Sequence, residues 1–572
     1  MITLKDAFKT RTFDQDKTIR PEETIQNFKA ALKKADLDIL KETRRIDNGR
    51  LGIPVFLSVC GKDARALSGT RKQMGKGADP LQAEASAMME LAERFSFFSL
   101  QNDPSRFFMG SLNDLGKEAL PFEMIARSVH DDSKSLGAVR EIFAGIPMKW
   151  TKGWSLNRQK EWMIPFDWFF AINEFNGTSA GNGPEEALTQ GICETIERHV
   201  SFLVSEKIAP APKIRPDSAS DPAVKEMIEK YRAAGVRIYI SDFSCGLGIP
   251  TVGVLAHDPS TFPEKSEIVW TAGTAPNPEK ALARALTETA QLAGDFNTGA
   301  NYLESGLPKF DGPGEADFVI HPEKTVGVGD LPDISDPNMR IEVENLVGAV
   351  EKMGMEALII ETTHPLLKIP AFYTIVPGTH FRERAKGGGV AMFLSKIISE
   401  TLPPGRAIDI LGRMDQALPG KYFVRFQLAS AHLSAGRPDQ ALRSLKKSLD
   451  MDPAPQDIPS IYSYMGVCLK DMGEYQKALS ALEKGARHDP KRTDIHNLAG
   501  FCHFMLKEHE KAIASFKKVL EIDPGSAIDY ANIASNYRDM GKKDEAVRYY
   551  ALALELDPSI DFARQNLEKL AG

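Results

Sequence analysis

The chain has 572 residues, which is too long for one hydrophobic core, so we expect two or three domains. Hydrophobic residues at 42% and charged residues at 26% exclude a disordered, fibrous or disulfide-scaffold protein. The formal net charge of −7 excludes a strong electrostatic attraction to nucleic acid or to an anionic membrane. Any phosphate-binding site must therefore be local.

Cysteine usage and the N-terminus indicate the compartment. The five cysteines are widely spaced and include no Cys-x-x-Cys pair, which favours neither a disulfide framework nor a zinc site. The first residues lack the basic-then-apolar pattern of a signal peptide, and no apolar run reaches the roughly 18 residues of a membrane span. We therefore expect a cytoplasmic protein without nucleic acid or membrane as a partner.

The first 400 residues mix short apolar runs with long helical patterns. Runs typical of strands occupy residues 53–57, 236–240, 251–256 and 371–376. This mixture predicts an α/β (α+β) domain of catalytic size.

One pattern occurs three times in these 400 residues with identical internal spacing. It begins at Pro80, Pro184 and Pro278, each of which follows an acceptable helix cap, so we predict three helices entered from tight loops. Its matched polar positions are Ser86, Glu90 and Glu93; Gln190, Glu194 and Glu197; and Arg284, Glu288 and Gln291.

These polar positions predict stripes that face an internal cleft. Offsets of three and four residues fall on one helix face, and the remaining positions of the first two helices are largely apolar. Neighbouring carboxylates repel by about 3 kcal/mol at ~5 Å and an effective dielectric near 20, so a cation should offset them. Several glutamates in one cleft suit Mg²⁺, whereas Arg94, Arg198 and Arg284 suit phosphate oxygens.

The loops before the first two helices favour an anion site. Glycines in Gly75-Lys76-Gly77 and in residues 177–183 allow backbone N–H groups to approach an anion. Lys76 is not followed by Ser or Thr, which disfavours a P-loop. A single Glu-x-x-Glu-Arg is usually a solvated face, but three matched copies favour a shared functional site over a duplication kept for packing.

Clusters of Gly and Pro predict the domain boundary. Gly387, Gly388 and Gly389 precede a short helical stretch, and residues 402–405 follow it. We therefore predict a first domain over residues 1–405, a linker over 406–420 and a repeat domain over 421–572.

The repeat domain shows a period of about 34 residues. Pro453, Pro490, Pro524 and Pro558 recur at spacings of 37, 34 and 34, each at the end of an apolar-periodic helix. The turn positions, and the small residues five positions later, are Gly436 and Ala441, Gly473 and Ala478, Lys507 and Ala512, and Gly541 and Ala546. These units resemble tetratricopeptide repeats with a final capping helix, which predicts an all-α solenoid.

The threefold motif resembles the YcaO family. Its hallmarks are Ser-x-x-x-Glu-x-x-Glu-Arg, an Asn-Gly loop leading into Glu-x-x-Glu-Arg, and Arg-x-x-x-Glu-x-x-Gln, which this chain carries in order within residues 15–400. Members bind ATP with Mg²⁺ and activate a peptide-backbone amide by phosphorylating its oxygen while a nucleophile attacks the carbonyl carbon. The resemblance implies an ATP-dependent enzyme that forms azolines, thioamides or amidines.

The resemblance also implies site residues. The implied metal ligands are Glu90, Glu93, Glu186, Glu194, Glu197 and Glu288. The nucleotide-binding positions, which include the polar stripes and loops, are Lys17, Thr24, Lys76, Ser86, Arg94, Ser179, Asn182, Gln190, Arg198, Arg284 and Gln291. Lys17 is equally compatible with an ordinary surface lysine. No catalytic side chain is implied.

The reaction class stays open among three candidates. Azoline-forming members typically end in a Pro-rich tail, whereas this chain ends Leu-Glu-Lys-Leu-Ala-Gly. A YcaO domain followed by helical repeats is similar to accessory factors for methylthiolation of a ribosomal protein, so thioamidation, heterocyclisation and support of methylthiolation all remain. We expect a homodimer whose repeats recruit a peptide or protein; the alternative is a nucleotide-sensing scaffold without amide chemistry.

Overall fold

The structure, a computed structural model, describes residues 2–10, 17–69, 72–299, 302, 306–381 and 388–571. Contacts divide the chain into two compact units: residues 1–136 with 143–390, and residues 137–142 with 391–572. Gly387 of the predicted boundary lies outside the described residues. No helix among the described residues is long and apolar enough to cross a membrane.

The strands of the first unit form three sheets. In chain order they are β1 Leu40–Arg45, β2 Val55–Cys60, β3 Lys72–Lys76, β4 Phe108–Gly110, β5 Met148–Ser155, β6 Lys160–Pro165, β7 Thr178–Ala180, β8 Lys213–Ile214, β9 Arg237–Asp242, β10 Thr251–His257, β11 Val269–Thr274, β12 Thr325–Val326, β13 Leu358–Glu361 and β14 Ala371–Ile375. The sheet orders are β1-β2-β3, β4-β5-β13-β14-β7 with β6 beside β5, and β11-β10-β9-β8-β12. The four predicted strand runs coincide with β2, β9, β10 and β14, which confirms the mixed α/β class.

Helices pack between and around these sheets. In chain order the α-helices up to residue 352 are α1 Pro21–Ala35, α2 Lys62–Ser68, α3 Pro80–Gln101, α4 Leu112–Leu115, α5 Phe122–Arg127, α6 Leu136–Ala144, α7 Phe166–Asn173, α8 Pro184–Ser205, α9 Pro222–Ala233, α10 Pro278–Ala293, α11 Asp317–Ile320 and α12 Met339–Lys352. The three predicted helices are confirmed as α3, α8 and α10. The side chains of Asp79 and Asn277 cap α3 and α10 by accepting backbone N–H bonds of 2.9–3.2 Å from the first turn.

Each of these helices follows a strand against which it packs closely, giving three strand–helix units: β3–α3, β7–α8 and β11–α10. A Cβ atom on Gly75 of β3 would lie 2.1 Å from the backbone nitrogen of Ala87, and one on Gly273 of β11 would lie 2.5 Å from that of Ala285. In β7–α8 the small residue is on the helix, because a Cβ atom on Gly191 would lie 2.8 Å from Ser179 Oγ. The strand and helix positions are twelve residues apart in all three units. One packing arrangement is therefore used three times.

We predict that Gly273→Ala lowers the free energy of unfolding of the first unit by about 1–3 kcal/mol, because the added methyl meets backbone atoms that cannot rotate away. Urea unfolding followed by tryptophan fluorescence measures this, since all five tryptophans lie between residues 150 and 270. The matched control is Gly348→Ala within α12, where a Cβ atom meets nothing within 4 Å. This control should gain up to about 1 kcal/mol. Equal effects of the two substitutions would contradict the close packing.

The second unit is a stack of helix pairs. Its helices, the first of which begins at the division, are α13 Val390–Thr401, α14 Pro404–Ala417, α15 Tyr422–Ser434, α16 Pro438–Leu449, α17 Ile458–Asp471, α18 Tyr475–His488, α19 Thr493–Met505, α20 His509–Ile522, α21 Ala527–Asp539, α22 Lys543–Leu556 and α23 Asp561–Ala571. The predicted turn residues have φ of 60–76°. The four predicted alanines are fully buried where paired helices cross. These observations confirm the predicted repeats.

The predicted linker over residues 406–420 needs correction. Most of it belongs to α14, because Ala407, Ile410, Leu411 and Met414 recur at helical spacing and bury one face. The Pro-Pro-Gly cluster before it therefore starts a helix rather than an extended connection, since proline is well accommodated in a first helical turn.

Candidate functional site

The polar stripes of α3, α8 and α10 face one cavity of about 640 Å³ within the first unit. This volume is in the usual range for a small-molecule site. The predicted site residues that line it are Lys17, Thr24, Lys76, Ser86, Glu90, Glu93, Arg94, Asn182, Glu186, Gln190, Glu194, Glu197, Arg198, Arg284, Glu288 and Gln291. Three helices far apart in sequence thus present matched positions to a common space.

Ser179 does not line this cavity. Its side chain is fully buried, and its Oγ lies at the contact of β7 with Gly191. It occupies the strand position that Gly75 and Gly273 hold in the other two units. We therefore reassign Ser179 from nucleotide contact to the packing of β7 on α8.

Each of the three helices carries a glutamate that is contacted by the strand of another unit. The pairs are Thr178 Oγ1 donating to Glu93 Oε1 at 2.5 Å, the Thr274 N–H donating to Glu197 Oε2 at 2.9 Å, and Lys76 Nζ forming an ion pair with Glu288. β7 thus provides the donor for the glutamate of α3, β11 provides it for α8, and β3 provides it for α10. The three units form a closed ring of interactions around the cavity.

The two Glu-x-x-Glu-Arg motifs provide internal counter-ions. Arg94 Nη2 lies 2.8 Å from Glu90 Oε1, and Arg94 Nη1 lies 3.2 Å from Glu93 Oε1. The guanidinium of Arg198 lies 3.8 Å from carboxylate oxygens of both Glu194 and Glu197. Burial alone would lower the pKa of Arg94, but the adjacent carboxylates raise it above its usual value. Both arginines are therefore charged and held in place by their own helices.

These arginines do not fully compensate the buried carboxylates. Burial, reinforced by Glu90, raises the pKa of Glu93 well above its usual value, and burial also raises the pKa of Glu194. Burial and the nearby Glu288 raise the pKa of Glu197 to about 7. Since each shift means that the ionised form is disfavoured, an additional cation in this cavity would be stabilised there.

The lining charges nearly balance before a ligand enters. Among the described residues that line the cavity, six glutamates face seven lysines and arginines. A triphosphate would add several negative charges, so it would be accommodated best together with divalent cations. Arg284 has a donor available for a phosphate oxygen. Its Nη1 donates to Gln190 Oε1 at 2.7 Å, but its buried Nε has no hydrogen-bond partner among the residues that the structure describes.

The donor set suits Mg²⁺ that is shared with a phosphate. No group of three or more His, Cys, Asp and Glu side chains in the described part of the chain is arranged to hold a metal ion alone. Mg²⁺ does not need such a cage, because it usually keeps waters and takes one or two carboxylates plus phosphate oxygens. The residues present therefore fit Mg²⁺ bound together with a nucleotide.

The N-terminal pair Lys17 and Thr24 also lines the cavity. Lys17 Nζ is 3.8 Å from Glu186 Oε1, and Thr24 Oγ1 donates to Asn182 Oδ1 at 3.1 Å. Glu186 also accepts hydrogen bonds from Thr18 Oγ1 at 3.1 Å and from Asn182 Nδ2 at 3.0 Å. A metal ion at Glu186 would have to compete with these donors.

Sequence reasoning missed the donors on the strands. Thr178 and Thr274 contact Glu93 and Glu197, yet neither lies within the repeated helical motif. The only signal available was their position at strand ends a few residues before the helix prolines, and that position does not reveal which helix a strand contacts. Gln73 and Met74 of β3 also line the cavity without having been predicted.

Comparison with known families decides the identity of the first unit. The sequence profile described as YcaO cyclodehydratase, ATP- and Mg²⁺-binding, matches residues 74–380, which is more than half of the chain. The chain belongs to the YcaO family. ATP and Mg²⁺ are accordingly its cofactors. Tetratricopeptide-repeat profiles match residues 425–459, 469–537 and 530–560 of the second unit.

Individual YcaO relatives are distant. An uncharacterized protein of Methanothermobacter thermautotrophicus is 26% identical over 385 residues, 63% of this chain and 94% of that protein. The ribosomal protein S12 methylthiotransferase accessory factor YcaO of Escherichia coli is 29% identical over 307 residues, 50% of each chain. A heterocyclase solved in complex with substrate and cofactor has 22% identity and a TM-score of 0.54, covering 66% of this chain and 54% of that chain. The last comparison shows the shared fold.

The raised pKa of Glu197 predicts a pH dependence of stability. Below about pH 4.5 this carboxyl is protonated in both the folded and the unfolded state, so its ionisation does not change the free energy of unfolding relative to Glu197→Gln. As the pH rises towards 7, the unfolded chain releases the proton while the folded metal-free protein retains it, so the wild type loses stability relative to Glu197→Gln. We expect a relative loss of up to about 3 kcal/mol, which levels off above pH 7.

Urea unfolding of the two proteins in a metal chelator, repeated from pH 4 to pH 8, measures this difference. The matched control is Glu351→Gln, which removes an exposed carboxylate of α12 and should show no comparable trend. A stability difference between wild type and Glu197→Gln that does not change with pH would show that Glu197 titrates normally.

Proposed function

We propose that this YcaO protein uses ATP and Mg²⁺ to activate a backbone amide of a peptide or protein by phosphorylating the amide oxygen. The observation that supports this best is the under-compensated set of buried glutamates, joined by matched arginines in one cavity. Such a set combines carboxylate oxygens for Mg²⁺ with guanidinium groups for phosphate. Membership of the family supplies the reaction class.

The side chains have distinct roles in this proposal. Glu90, Glu93, Glu194, Glu197 and Glu288 would hold Mg²⁺. Bound ATP supplies the phosphoryl group that turns a poor amide-oxygen leaving group into a good one. Arg94 and Arg198, already fixed by their own carboxylates, would stabilise negative charge without first having to reorganise.

Arg284 and the N-terminal pair complete the proposed nucleotide site. The unpaired Nε of Arg284 would donate to a phosphate oxygen. Lys17, Thr24 and Asn182, joined through Glu186, would bind the nucleotide at the side of the cavity.

The final modification is one of three: thioamidation, heterocyclisation, or support of ribosomal-protein methylthiolation. The Escherichia coli relative, described as an accessory factor for the last of these, also makes it a candidate. We further propose that the tetratricopeptide repeats recruit the substrate or a partner protein, because stacked helix pairs present an extended binding surface. If the protein binds nucleotide without any turnover, it is a nucleotide-sensing scaffold instead.

We predict that a non-hydrolysable ATP analogue binds in the presence of Mg²⁺, and at least about tenfold more weakly without it, because Mg²⁺ links the carboxylates of the cavity to the phosphate oxygens. Glu194→Gln should weaken Mg²⁺-dependent binding by a similar factor. Isothermal titration calorimetry measures both effects, with Glu351→Gln as the matched control expected to bind normally. Normal binding by a folded Glu194→Gln protein would remove Glu194 from the site.

We predict that the modified product is absent from cells that carry Glu194→Gln in place of the wild type. Quantitative peptide mass spectrometry of the two cell types should reveal a peptide or protein whose mass differs by an oxygen-to-sulfur exchange, by loss of water, or by a methylthio group. These three outcomes separate the three candidate modifications. Identical spectra, with nucleotide binding lost in the variant, would favour the scaffold function.

A further inference from the structure

Lys76 is the exception in the ring of strand donors. Glu93 is contacted by the hydroxyl of Thr178 and Glu197 by the backbone N–H of Thr274, both uncharged donors. At Glu288, the strand β3 instead provides the ammonium group of Lys76. Two positions of the ring therefore have neutral donors and the third has a full positive charge.

This difference matters once a divalent cation enters the cavity. A neutral donor occupies one lone pair of a carboxylate and leaves others for a metal ion. An ammonium group competes for the carboxylate as a cation and repels Mg²⁺ directly. The side chains of Lys76 and Glu288 are only 20% and 12% exposed, so water screens this competition weakly.

We propose that Lys76 is a resident counter-ion of Glu288 that Mg²⁺ replaces, and that Lys76 thereby sets the Mg²⁺ concentration at which the cavity is loaded. This inference rests on the proposed Mg²⁺ site. In the metal-free protein Lys76 stabilises the buried carboxylate of Glu288. When Mg²⁺ binds, the ammonium group leaves this carboxylate but stays in the cavity, where it can meet an anionic oxygen of the nucleotide.

Lys76→Met tests the exchange by removing the competing cation. Its Mg²⁺ dissociation constant should fall by about tenfold relative to the wild type, measured by calorimetry with and without a fixed concentration of a non-hydrolysable ATP analogue. Lys76→Arg keeps the charge and should stay near the wild type. The matched control is Lys280→Met, since Lys280 lines the same cavity but pairs with Asp221 at 3.0 Å instead of with a glutamate of the ring.

The outcomes separate this inference from the function on which it rests. If Lys76→Met binds Mg²⁺ no more tightly than the wild type, or if Lys280→Met tightens binding equally, the exchange is wrong while the Mg²⁺ site stands. If Glu288→Gln leaves Mg²⁺ affinity unchanged, or if the wild type binds no Mg²⁺ under either condition, the proposed metal site itself fails.

A second measurement uses the unaltered protein and does not depend on how the variants fold. Brief reductive methylation followed by peptide mass spectrometry reports the reactivity of the Lys76 amine. We expect low reactivity in the metal-free protein and higher reactivity after Mg²⁺ alone is added. A Lys76 reactivity in the wild type that Mg²⁺ does not change would overturn the exchange.

Discussion

Burial of several carboxylates in one cavity is the constraint on which the first unit depends. Ionised groups removed from water are costly unless charges or donors compensate them. Here the compensation comes at two levels: each Glu-x-x-Glu-Arg helix carries its own arginine, and each helix receives a donor from the strand of another unit. What the arginines and strand donors leave uncompensated is the basis of the Mg²⁺ site that we propose.

The ring of donors links metal binding to the fold. β3, β7 and β11 belong to three different sheets, and each contacts a helix that follows another strand. A change in the charge or ligation of one carboxylate therefore alters its contact with a strand of another unit. Close packing at Gly75, Gly191 and Gly273 keeps each helix near its own strand, which holds the ring in register.

The repeat unit follows a simpler physical logic. Each helix pair buries small residues such as Ala441 and Ala478 at its crossing, and neighbouring pairs pack together into shared hydrophobic clusters. Such local packing can be predicted from the sequence, because the pattern repeats with a period of about 34 residues. The stacked helix pairs present the extended surface that we propose recruits a partner or substrate.

The sequence by itself determined every feature that depends on local spacing. The helices starting at Pro80, Pro184 and Pro278, their polar stripes and the repeat turns follow from helical periodicity and capping. The resemblance to the YcaO family, by contrast, is what predicted Lys17, Thr24 and Asn182 as cavity residues. The sequence mispredicted most of residues 406–420 as a linker, because the Pro-Pro-Gly cluster before them proved to be a helix start.

Only the tertiary structure decided which elements meet. Ser179 reads as a loop residue near a nucleotide, but the approach of β7 to Gly191 buries it instead. Thr178, Thr274 and Lys76 became partners of Glu93, Glu197 and Glu288 because the strand–helix units close into a ring. Spacing along a chain determines which residues share a helix face, whereas contacts between distant segments depend on how those faces pack.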